Sequence, residues 1–169
     1  CITRKGNIMS DYQFKHKPLH ENVLRTAGLR SKKSAMFGMV RTNKDGSPRP
    51  HQGIDLAVDN GYRVYAVDDG VIADVARGND GYGWTVTLKI KDGLYTFYAH
   101  LSSIKCQVGQ QVKAGDRIAL TGSTGNARGM TNKAKGSHLH FEVRTSVKPG
   151  LGLRGRLDPL EYFKLDDDV

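Results

Sequence analysis

The sequence has two cysteines, Cys1 and Cys106, and no Cys-x-x-Cys pair, which argues against thiolate zinc ribbons and thioredoxin-like redox chemistry. It has no apolar run approaching the ~20 residues that a membrane-spanning helix needs, so the reading is a soluble globular protein. Prolines are few, five against twenty glycines, a balance that favours tight turns and a β-rich fold. No phosphate loop is complete: Thr121-Gly-Ser-Thr-Gly-Asn126 lacks the Gly-Lys-Ser/Thr ending and reads as a turn. Asp68-Asp69 and Asp166-Asp167-Asp168 lack calcium-loop spacing and read as solvated turn and tail charges.

What is plentiful is positive charge. Twenty-six Lys and Arg against seventeen Asp and Glu give a net charge of +9. That balance suits an anionic partner, such as nucleic acid, a membrane surface or an acidic wall polymer. The charges lie in short clusters such as Lys133-Ala134-Lys135, with no continuous stripe and no nucleic-acid-binding motif, so no nucleic-acid partner is expected. The sequence opens on Cys1 and reads as a processed or excerpted form; a Cys1–Cys106 disulfide and lipidation of Cys1 both remain open.

At 169 residues the chain fits one domain with its own core. Residues 1–36 read as an N-terminal extension or linker, irregular or with one short helix over Leu19 to Leu29. They could also be a strand-capping element or a prosegment that fills a groove. His16 and His20 are read as solvent-exposed. Residues 37–163 read as strands and turns, and 164–169 as an acidic tail. Tyr62 to Val67 and Val71 to Val75 are β-branched runs. Trp84 to Ile90 alternates, Lys91-Asp92-Gly93 turns, and Tyr95 to His100 returns with Thr96, Tyr98 and His100 predicted on one face. Val112 to Leu120 and His138 to Arg144 are further strands. The predicted fold is mainly β, an antiparallel sheet or barrel-sandwich-like single domain.

Three segments carry the chemistry. In His51-Gln52-Gly53-Ile54-Asp55, a period of two puts His51, Gly53 and Asp55 on one face, with the glycine leaving that face open to a metal. In His138-Leu139-His140-Phe141-Glu142-Val143, the polar residues share one face and the apolar residues face a core. His100 ends the returning strand. Three ligands and an open fourth position are what catalytic zinc needs to acidify a water, so two of these five side chains would be left for proton transfer and oxyanion stabilisation. Spacing leaves open which of His138 and His140 would bind metal.

In order, His51-x-x-x-Asp55, Tyr98-Ala99-His100-Leu101, Gly125-Asn126 and His138-Leu-His140-Phe-Glu-Val resemble the lysostaphin-like, LytM-type zinc peptidases of the M23 family. The resemblance runs from about Phe37 to Phe163. It implies an open groove crossed by strands, one Zn2+ per chain held by His51, Asp55 and His140, and His100 and His138 as catalytic non-ligands. It implies hydrolysis of peptidoglycan stem peptides or cross-bridges, outside the cytoplasm, by a chain read as a monomer. An inhibitor or immunity protein joins the partners if the chain is a toxin; a housekeeping hydrolase and a phage lysin fit the same domain. The aromatic residue that the family often carries shortly before its first histidine is missing, which leaves Tyr82 or Tyr98 for that role. Asn126 to Gly136 reads as a flexible basic insertion that forms a groove wall. Two other readings compete: a non-catalytic wall-binding or amidase-activating module, and a histidine phosphocarrier of similar barrel type, which would not need Asp55.

Overall fold

Alternating side chains from Phe37 onward become strands, as a period of two requires. The structure, a computed structural model, describes residues 9–167. β1 (Gly38–Thr42) and β2 (Pro48–His51) form a separate antiparallel ribbon. The large sheet holds β3 (Ile54–Ala57), β4 (Arg63–Tyr65), β5 (Gly70–Arg77), β6 (Trp84–Lys91), β7 (Leu94–Ile104), β8 (Gln111–Val112), β9 (Arg117–Thr121), β10 (His138–Arg144) and β11 (Arg156–Leu157). Its spine runs β11-β10-β7-β6-β5-β8. β3 and β11 share the outer edge of β10, and β9 joins the end of β7 and carries β4. Every pairing is antiparallel, and the fold is mainly β as the sequence indicates. Among the described residues, no helix is long and apolar enough to cross a membrane.

The β6–β7 hairpin closes at Asp92-Gly93, with Lys91 opposite Leu94 and Gly93 at φ 76°, a conformation that glycine adopts without steric cost. On β10 the apolar face, Leu139, Phe141 and Val143, is fully buried against Ile54, Leu56 and Tyr98, and the other face is left for function. The predicted Val112 to Leu120 strand is two pieces, β8 and β9. Lys113 to Asp116 turn between them, with the Asp116 carboxylate accepting from the Lys113 N–H at 2.9 Å.

The segment before Phe37 takes the strand-capping form among those read for it, not the short helix. Leu19 to Leu29 forms no helix. It runs along the free edge of β3, where the Ala57 N–H donates to the Val23 carbonyl and the Arg25 N–H to the Asp55 carbonyl, both at 2.9 Å. Leu19 and Leu24 join the core, while His16 and His20 are exposed as expected. Farther back, Ser10 and Phe14 hydrogen-bond to Glu161 and Tyr162, and Phe14 stacks on Tyr162 with centroids 5.1 Å apart. An unpaired edge strand presents a row of free N–H and C=O groups, and this segment covers it.

The closing acidic residues Asp166 and Asp167 are exposed, as read, but are held by partners. Asp166 accepts from the Asn22 N–H at 2.7 Å and from Lys17 at 2.6 Å, Asp167 pairs with Lys32 at 2.7 Å, and Leu165 is in the core. Asp168 lies outside the described residues, as does Cys1, and with it the disulfide and lipidation readings. Cys106 is half-buried, and burial pushes its thiol up to about 11, so it is a poor nucleophile.

If the N-terminal segment is structural, Leu24→Ala, which empties a site only 4 % exposed, lowers unfolding free energy by about 2–5 kcal/mol in denaturant titration. A loss well under 1 kcal/mol would show that the segment is a detachable linker.

Candidate metal centre

Strand pairing assembles the site. β10 lies antiparallel to β3 with His140 directly opposite Asp55. Opposed residues on one face of such a pair sit within side-chain contact. Gly53 lets this happen, because a Cβ there would overlap the Phe141 carbonyl oxygen of β10. The sequence reading gave Gly53 the task of opening a face to metal; its observed task is to admit the neighbouring backbone. His51, the last residue of β2, then reaches the same carboxylate.

Asp55 is the hub, 1 % exposed. Its Oδ1 lies 3.1 Å from His51 Nε2 and 3.1 Å from His140 Nδ1. Its Oδ2 faces away and accepts from Arg41 at 2.8 Å and Arg25 at 3.2 Å, with His138 Nε2 at 3.7 Å. Burial alone would raise this carboxyl, but the surrounding histidines, His138 first, hold it well below the usual range.

One ligand atom from each of His51, Asp55 and His140 falls within a 4.8 Å sphere of mutual distance. Tetrahedral zinc with bonds near 2.0–2.1 Å separates its ligand atoms by about 3.3 Å, so two contacts of 3.1 Å to one oxygen need little adjustment. Two imidazole nitrogens and a carboxylate oxygen are also a donor set that zinc accepts, with a fourth position left open. Each ring is steered from behind. The His51 Nδ1–H donates to the Met36 carbonyl at 2.9 Å, which leaves Nε2 as the free lone pair. His140 Nε2 meets Glu142 Oε2 at 2.7 Å, and Glu142 Oε1 accepts from Arg144 at 2.8 Å and Arg156 at 2.9 Å. Burial pulls His140 down and raises Glu142. The pairing of His140 with Asp55 and Glu142 outweighs this, giving about 9 for the imidazole and about 2 for Glu142.

The other two histidines sit beside this cluster. The His138 Nδ1–H donates to the Gly136 carbonyl and the His100 Nδ1–H to the Thr124 carbonyl, each at 2.8 Å. A carbonyl can only accept, so in both rings Nε2 is the free position. Burial lowers both; His100, also beside His138 and His140, falls to about 3, so both are neutral at pH 7. Their ring centroids are 5.0 Å apart.

His100 reaches the groove by a backbone device. Tyr98 points into the core, where its hydroxyl meets Thr96 and the Val67 N–H. Simple alternation would send His100 after it, and that was the expectation. Instead His100 has φ 60°, the positive-φ non-glycine among the described residues, which turns its ring to the groove side. Such a conformation costs about 1–3 kcal/mol and gathers at functional sites. Tyr98 is thereby removed as a groove residue. Tyr82 is one: its ring stacks on His140 at 5.2 Å and its hydroxyl donates to Gln52.

The five sequence-predicted residues line one open groove of about 550 Å³, with Asn126 and Met130 of the basic insertion on its rim. A second cavity of similar volume, about 540 Å³, is lined by Leu19, Val58, Tyr62 and Tyr65 and contains none of the five. Sequence reasoning placed Glu142 on the same face as His138 and His140 but gave it no role, and missed Arg25, Arg41, Arg144 and Arg156. Glu142 and Arg144 follow His140 at a period of two and were legible in principle; Arg25 carried no signal.

Known proteins resemble this chain in sequence and fold. The model of "Peptidase family M23" matches residues 49–150. The DD-carboxypeptidase/endopeptidase Mpg of Neisseria meningitidis serogroup B is 40 % identical over 101 residues, 60 % of this chain and 21 % of that protein. The murein hydrolase activator NlpD of Salmonella typhimurium is 32 % identical over 126 residues, 75 % of this chain and 29 % of that protein. A zinc-containing peptidase of Vibrio cholerae superposes with a TM-score of 0.62 at 28 % identity, covering 89 % of this chain and 41 % of that one. The chain spans about a fifth to a third of the length of such curated relatives. With most of the sheet and all five groove residues inside the matched stretch, the chain belongs to peptidase family M23.

Proposed function

We propose that this domain is a zinc-dependent endopeptidase that hydrolyses peptide stems or cross-bridges of bacterial peptidoglycan, and so works outside the cytoplasm. One observation carries the reading: His51, Asp55 and His140, whose donor atoms converge, share a single open groove with two further imidazoles, His100 and His138, whose pKa values burial lowers. His51 Nε2, Asp55 Oδ1 and His140 Nδ1 would hold one zinc per chain. When bound, zinc supplies a water acidified towards neutral pH and Lewis-acid pull on the scissile carbonyl. Arg25 and Arg41, by holding Oδ2, keep Oδ1 turned to the metal position. Glu142 does the same for Nδ1 of His140. His138 and His100 each offer a free Nε2 that takes a proton and returns it to the leaving amine, or, once protonated, donates to the developing oxyanion.

The likeness to NlpD favours a second reading, a module that activates other wall enzymes without cutting. Against it stands the intact set of five residues, which activation alone does not require.

Purified protein is expected to carry one zinc. His51→Ala and Asp55→Ala lose it. His138→Ala and His100→Ala keep it, while release of new amino termini from peptidoglycan falls by about 10²–10⁴. Zinc lost from His138→Ala would overturn the ligand assignment, and bound zinc with no cleavage of any wall type would favour the activator. If Arg25 steers Asp55, Arg25→Gln weakens zinc binding by about 10–100-fold in chelator competition, as loss of a ligand's supporting partner does in other zinc sites. Unchanged affinity would reduce that ion pair to packing.

A further inference from the structure

The charge lining the groove is one-sided. Arg25, Arg41 and Arg49 all line it beside His51, and Asp55 is the one carboxylate there among the described residues. Arg41 and Arg49 are direct partners across the β1–β2 ribbon. Like charges set opposite each other in an antiparallel pair repel. Arg41 is relieved by Asp55 at 2.8 Å, and Arg25 shares that same oxygen at 3.2 Å. Asp55 also faces three histidines. Its charge is committed, and nothing remains for Arg49, which is exposed and has no carboxylate within ion-pair distance among the described residues. A resident dication would deepen the imbalance. A guanidinium left unpaired at the mouth of a positively charged groove is a ready partner for a carboxylate, which it can bind through two parallel hydrogen bonds.

Arg49 stands two residues before His51 on one strand, about 7 Å along it. Two residues of an extended substrate span the same length. Resting on the peptidase reading, we propose that Arg49 is a specificity residue that binds a carboxylate carried by the substrate within about two residues of the scissile bond. The domain therefore prefers acidic stem peptides to uncharged glycine bridges.

The test uses the full zinc-loaded chain and a set of cross-linked stem peptides. In these the acceptor side-chain carboxylate and the C-terminal carboxylate are each free or amidated, with pentaglycine as the uncharged comparison. Kd is read by calorimetry and kcat/KM by mass spectrometry. Amidating one of the two carboxylates is expected to weaken binding and kcat/KM about tenfold or more, chiefly through KM, and so to identify which one Arg49 reads. The free-to-amidated ratio falls towards one in Arg49→Gln and is restored in Arg49→Lys. A ratio near one for both carboxylates in the wild type, survival of the ratio in Arg49→Gln, or a preference for pentaglycine would each overturn the inference. Selective binding without any cleavage would leave Arg49 its role and remove the peptidase reading; cleavage without selectivity would do the reverse.

Discussion

A carboxylate buried to 1 % exposure is the constraint around which this domain is arranged. An ion of that kind inside a protein is tolerated only if it is paired and hydrogen-bonded on all sides. Asp55 meets the requirement by dividing its two oxygens: Oδ1 faces His51 and His140, and Oδ2 faces Arg41 and Arg25. The division separates a face where a metal fits from a face where guanidinium ions stand guard. It needs the register of β3 on β10, the close backbone approach that only glycine permits at position 53, and a strand end at His51. The same logic recurs one layer out, where Glu142 is buried between His140 and two arginines.

Much of this was legible in the sequence, for a local reason. His138, His140 and Glu142 share a face, and Leu139, Phe141 and Val143 the other, because a strand alternates whatever its neighbours are. The hairpin at Asp92-Gly93 was equally local. What could not be read depended on pairing between distant segments. Leu19 to Leu29 looks helical in isolation, but the bare edge of β3 offers backbone partners that extend it instead. His100 obeys alternation in the sequence and breaks it in the fold, since a positive φ is invisible in a residue that is not glycine. Resemblance to the family, not spacing, separated His140 from His138. In the fold His140 Nδ1 lies 3.1 Å from one oxygen of Asp55 and His138 Nε2 3.7 Å from the other.

The N-terminal segment joins fold and chemistry. Val23 and Arg25 pair with β3, Leu19 and Leu24 enter the core, and the Arg25 guanidinium reaches the buried carboxylate. A stretch whose sequence fits a linker, a strand-capping element or a prosegment thus contributes a side chain to the groove. Beside it, the ribbon of β1 and β2 sets Arg41 opposite Arg49, so with Arg25 three guanidinium groups line the groove.

The most direct test of this account is the structure of the zinc-loaded protein, with the metal located by anomalous scattering. The account predicts one zinc bonded at about 2.0–2.2 Å to His51 Nε2, Asp55 Oδ1 and His140 Nδ1, with Arg25 and Arg41 still on Oδ2. His138 and His100 would lie outside the coordination sphere with Nε2 unligated. Zinc bonded to His138, or to both oxygens of Asp55 with the arginines displaced, would contradict it.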